Sequence, residues 1–117
     1  MKTFKTMAAQ GDLLLTRIDA LPDGLEKNSP TDGKHIVAHS ETGHHHVIDA
    51  VRGKSTVKMY RLPEEIYEAF IVVEGDAATL EHERSFDTHE PIKIEPGVYR
   101  ISRQREYTAE GFRRAAD

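Results

Sequence analysis

Apolar positions in this chain fall in short alternating runs rather than at helical spacing. Leu13-Leu14-Leu15-Thr16-Arg17-Ile18 predicts a strand of mixed burial after the Gly11-Asp12 turn signal. Residues 34–41 and 44–51 predict two strands joined as a hairpin through Thr42-Gly43, and Arg52-Gly53 turns the chain into a third over 55–62. Pro63-Glu64-Glu65 interrupts the pattern before the apolar run Phe70-Ile71-Val72-Val73, which predicts a buried strand over 68–74. Gly75-Asp76 reads as a tight turn completing a hairpin with 77–83. Ile92 and Ile94 alternate with charged neighbours, Pro96-Gly97 is a turn signal, and 98–104 predicts a last strand. Residues 22–33 hold two Pro, two Gly and three Asp or Asn, and read as a surface loop. The final residues from Thr108 predict a short helical turn or irregular chain.

Short strands punctuated by Gly and Pro, with no helix of useful length, predict an all-β fold. The expectation is a small barrel or sandwich of about seven to nine short strands. Residues 1–10 read as a flexible N-terminal tail and 11–117 as a single β domain.

Composition narrows the chemistry. There is no cysteine, so disulfides and thiolate metal sites are excluded. A formal net charge of −4 argues against nucleic acid or an anionic membrane as a general partner. Arg100, Arg103, Arg105, Arg113 and Arg114 make the C-terminal part locally basic, which weakens that argument there. No apolar run approaches the roughly 20 residues of a spanning helix, and none marks a signal peptide, so the expected location is cytoplasmic.

Histidine is the residue that changes the picture. There are seven in 117 residues, and five of them lie between His35 and His46. Neutral imidazole is the commonest protein ligand for transition metals. With a side-chain period of two, His44, His46 and Ile48 share one face of a strand, and His45, Val47 and Asp49 the other. Ala78, Leu80 and His82 share a face on a later strand, which is expected to lie against the first. The candidate metal ligands are His44, His46, His82 and His89, holding zinc, iron or nickel. Glu83 and Glu90 are candidates for orienting an imidazole, and Arg105 and Tyr107 for binding an anion. The competing reading is a rim of hydrogen-bonded histidines with no metal. His35 is expected in solvent. No catalytic residue is nominated, because 20 acidic residues are mostly a solvated surface.

In order along the chain stand Gln10-Gly11-Asp12-Leu13-Leu14-Leu15, Thr42-Gly43-His44-His45-His46, Leu80-Glu81-His82-Glu83, His89-Glu90-Pro91-Ile92, Pro96-Gly97-Val98-Tyr99 and Gln104-Arg105-Glu106-Tyr107. Taken together they resemble a group of small bacterial and phage β proteins without an assigned activity. The resemblance implies a compact β fold and a shared histidine site. In that group the two later histidines stand closer, whereas here residues 84–88 intervene. His44-x-His46 with a later Pro96-Gly97 is also similar to cupins, at the level of architecture only.

Three function classes follow: a metal-binding protein, such as a small metalloenzyme acting on a small molecule or phosphate ester; a non-catalytic interaction module with a structural or pH-sensitive histidine cluster; and a homo-oligomeric bacterial or phage accessory protein. A homodimer is the expected assembly, since exposed sheet edges must be covered.

Overall fold

The computed structural model describes residues 3–10, 13–38, 45–65, 68–82 and 91–103. Among them are eleven strands: β1 (Met7–Gln10), β2 (Leu13–Ile18), β3 (Glu26–Asn28), β4 (Lys34–Ala38), β5 (His46–Asp49), β6 (Val51–Arg52), β7 (Ser55–Arg61), β8 (Glu68–Gly75), β9 (Ala78–His82), β10 (Ile92–Ile94) and β11 (Gly97–Arg103). The larger sheet runs β1-β2-β11-β8-β7-β3, with β6 also on β7, and the smaller runs β10-β9-β5-β4. The expected all-β fold is therefore present as two antiparallel sheets face to face, a sandwich rather than a closed barrel. No helix of the described residues is long and apolar enough to cross a membrane.

Alternation places the core. Across the larger sheet Leu15, Ile101, Ala69 and, in the next register row, Tyr99, Ile71 and Met59 stand opposite one another. From the smaller sheet Ile48, Leu80 and Ile92 form one such row. All of these side chains are buried in a single cluster. Burying one Leu or Ile side chain contributes roughly 1.5–3 kcal/mol, so this layer supplies the main driving force for pairing the sheets.

The chain changes sheet four times among the described residues, the first over residues 29–33 between β3 and β4. Asp49 ends β5 and Val51 opens β6 in the other sheet, so the strand expected over 44–51 is broken at Ala50. Ala50 is held at this corner on both sides: its N–H donates to Gly33 over 2.9 Å and its carbonyl accepts from Val57 over 2.8 Å. The hairpin expected between 68–74 and 77–83 does not form. β8 pairs with β7 and β11, while β9 pairs with β5 and β10. Gly75 to Ala77 is instead a crossover between sheets. Its φ of 79° and the nearness of the Lys54 carbonyl, 2.0 Å from where a Cβ would stand, both require glycine there. Glu95-Pro96 returns the chain from β10 to β11.

Two further expectations are corrected. The N-terminal tail does not extend to residue 10, since Met7–Gln10 pair with Thr16–Leu13. The loop over 22–33 contains β3, which pairs with Arg61–Met59. β3 is short and charged, as suits an edge that must not recruit further strands.

Candidate functional site

Strand register shows where the histidine-bearing segments are anchored. In the larger sheet β1 ends at Gln10 opposite the start of β2 at Leu13, and β11 ends at Arg103, also opposite Leu13. β8 begins at this same end with Glu68 opposite Ser102, and β7 ends there at Arg61. In the smaller sheet β4 ends at Ala38, β5 begins at His46, β9 ends at His82 and β10 begins at Ile92. Side-chain bonds bring these two sets of strand ends together. Gln10 Nε2 donates to the Leu80 carbonyl over 3.1 Å, Gln10 Oε1 lies 2.8 Å from His46 Nδ1, and Arg61 Nη2 donates to the Val37 carbonyl over 3.1 Å. The strand ends leading into 11–12, 39–44, 83–90 and 104–117 thus stand at one end of the sandwich. Of the six sequence segments singled out above, four have described residues at this end: Gln10, His46, His82 and Ile92. Pro96-Gly97-Val98-Tyr99 belongs to the opposite end.

β5 lies against β9, as expected from the sequence, and His46 is the register partner of His82. His46 is buried, and so is Gln10. Gln10 was not foreseen as a site residue, although it opens the Gln10-Gly11-Asp12 segment. Its position at the end of an apparent tail concealed that its amide crosses from one sheet to the other. His44, His89, Glu83, Glu90, Arg105 and Tyr107 lie outside the described residues. Among the described residues no three His, Asp or Glu gather as a metal site.

His35 corrects the expectation of a solvated side chain. It is 2% exposed, and its Nε2 donates to the Val57 carbonyl over 2.7 Å. A carbonyl only accepts, so the hydrogen resides on Nε2 and the buried Nδ1 carries a lone pair with no hydrogen-bond partner. Burial depresses the pKa of this imidazole, the bond to Val57 opposes that in part, and the Lys27 charge adds to the depression. His35 is therefore a neutral linker between sheets.

Arg61 holds the exit of β4. Register shifts between Ile36 and Ala38, and the Arg61 guanidinium reaches the Ile36 and Val37 carbonyls at this irregularity. Burial lowers its pKa, partly offset by Glu65, yet a guanidinium stays charged. A cation thus fixes the backbone immediately before residues 39–44.

The fold and this end define a class: an antiparallel β sandwich whose histidine-bearing segments issue from one end and are tied to the opposite sheet by a buried glutamine. The chain belongs to the family described as a domain of unknown function (DUF8820), which matches residues 9–104. The matched span runs from β1 through β11 and contains all seven histidines. No curated protein and no solved structure matches the chain.

Proposed function

We propose that this end of the sandwich binds a divalent metal ion, zinc, iron or nickel, through His46 and His82 with His44 and His89. The observation that carries the proposal is register. His46 and His82 are paired on neighbouring strands, and the segments containing His44 and His89 are joined to those same strand ends. Two imidazoles from adjacent strands with further ligands from adjoining segments make a donor set of the His type that zinc, iron and nickel accept. Glu83 and Glu90 are the proposed orienting carboxylates, and Arg105 and Tyr107 the groups for an anionic small-molecule ligand. A metal held this way supplies Lewis acidity or an activated water.

The test is elemental analysis of protein purified without an affinity tag or chelator, followed by titration of the metal-free protein with zinc. The expected result is about one metal per chain, lost in His46→Ala and retained in His35→Leu. Bound metal should also raise stability by about 2.7 kcal/mol at a free concentration one hundredfold above its Kd. Metal-free parent protein that takes up no zinc would leave the Gln10–His46 contact as a purely structural tie between sheets.

The proposed assembly is a homodimer. β1, β3, β4 and β10 stand at the sheet edges, and Met7 on β1 is 54% exposed. A monomer mass by light scattering at high concentration would remove this part of the reading.

A further inference from the structure

His46 and Gln10 come from different sheets and meet out of contact with bulk water, at 5% and 2% exposure. The Gln10 amide has one consistent orientation. Its Nε2 lies 3.1 Å from the Leu80 carbonyl, and a carbonyl can only accept. The remaining atom, Oε1, is itself only an acceptor, and it stands 2.8 Å from Nδ1 of His46. Two acceptors do not sit at that distance without a hydrogen between them, so Nδ1 carries the proton. In a neutral imidazole the lone pair then belongs to Nε2.

We infer that Gln10 is a positioning residue for the proposed metal site: it holds His46 as the Nδ1–H tautomer and so selects Nε2 as the ligating atom. The arrangement is the usual one for a metal-binding histidine, whose other ring nitrogen donates to a carboxylate, carbonyl or water. Here the acceptor is a side-chain amide delivered from the facing sheet. Its own orientation is fixed by the backbone of β9, the strand that ends in His82. One residue thereby couples the ring of His46 to the strand of its register partner. The role in ligation rests on the metal-binding reading, while the tautomer follows from hydrogen bonds present without a metal.

The experiment uses full-length protein labelled with ¹⁵N-histidine, freed of metal, near neutral pH. Long-range ¹H–¹⁵N correlation spectra distinguish the two tautomers, and the His46 pattern is identified by its loss in His46→Asn. The expected parent pattern is Nδ1–H. Gln10→Leu should lose it and should weaken zinc binding by about 10- to 100-fold. Gln10→Glu, with its buried carboxyl protonated, supplies a donor for the Leu80 carbonyl and an acceptor for Nδ1 and should restore the Nδ1–H pattern, a rescue that a merely space-filling role does not predict. The inference is overturned if parent His46 is the Nε2–H tautomer, or if Gln10→Leu leaves the pattern unchanged. Should Gln10→Leu fail to fold, the parent and Gln10→Glu spectra still decide. A parent with the Nδ1–H ring that binds no zinc overturns the metal reading and the ligating role of Nε2, but leaves Gln10's control of the ring intact.

Discussion

Replacing His35 by Leu should destabilise the protein at high pH and flatten its acid sensitivity. The substitution removes the 2.7 Å bond to Val57 and leaves that carbonyl without its imidazole donor. An orphaned buried acceptor costs about 1–3 kcal/mol. The leucine returns part of this by filling the space with apolar atoms and by eliminating the unpartnered Nδ1 lone pair. We therefore expect a net loss of about 1–2 kcal/mol near pH 8. Acid narrows the difference between parent and variant. The folded-state pKa of His35 is depressed by burial, so the unfolded chain binds the proton first. The stability that comes from keeping His35 neutral is complete above the unfolded value of about 6.5. It is lost as pH falls from there towards the lower folded value. Within that window each pH unit removes up to about 1.4 kcal/mol from the parent, a slope that leucine abolishes. Urea unfolding from about pH 8 to pH 5, with chelator present so that metal release does not contribute, measures both effects. Parallel pH profiles for parent and variant would refute the buried, neutral histidine. So would a variant as stable as the parent at pH 8.

The crossover and the aromatic at the opposite end offer two further tests by thermal or urea unfolding. Gly75→Ala should cost more than about 2 kcal/mol, because it combines a φ of 79° with a Cβ placed against the Lys54 carbonyl, and an unchanged midpoint would contradict the crossover geometry. Tyr99→Phe removes the 2.6 Å bond from the hydroxyl to the Glu95 carbonyl while leaving the buried ring, so the expected loss is about 0.5–1.5 kcal/mol, and no measurable loss would mean that water replaces the bond.

What could be read from sequence depended on how local the determining physics is. The strands over 13–18, 55–61, 68–75 and 97–103 declare themselves through alternation and β-branched or aromatic residues. The pairing of the His46 strand with the His82 strand was also legible, since each carries a histidine in phase with an apolar core position. Whether a turn keeps the chain in its sheet or carries it to the other was not. Gly75-Asp76 has the same turn chemistry whether the chain folds back in one sheet or crosses to the other. β1 and β3, Met-Ala-Ala-Gln and Glu-Lys-Asn, have little intrinsic preference for strand and form because β2 and β7 present unpaired edges to them. The burial of His35 did have a signal: it shares parity with Val37, which is also buried. The general tendency of polar residues towards solvent outweighed that parity. Gln10 carried no pattern of its own, because its importance lies in a contact 36 residues away.

His35 and His46 are alike in burial but differ in what holds them. The partner of His35 is a backbone carbonyl, available to any donor that reaches β7, and its remaining nitrogen lies buried with no hydrogen-bond partner. That is how a histidine serves as a structural tie. The partner of His46 is a side chain whose own orientation is fixed by a second bond, and it stands at the end where the other histidine-bearing segments are anchored. That is how a histidine is prepared for chemistry at its other nitrogen. Loss of stability cannot separate the two roles, because truncating either buried ring leaves an unmatched polar group behind. Metal content and ring tautomer can. Substitution at position 35 should change stability without touching bound zinc, whereas substitution at position 10 should change zinc affinity through the ring of His46 even where the fold survives. A protein in which both substitutions altered only stability would be a sandwich with two polar ties and no metal centre.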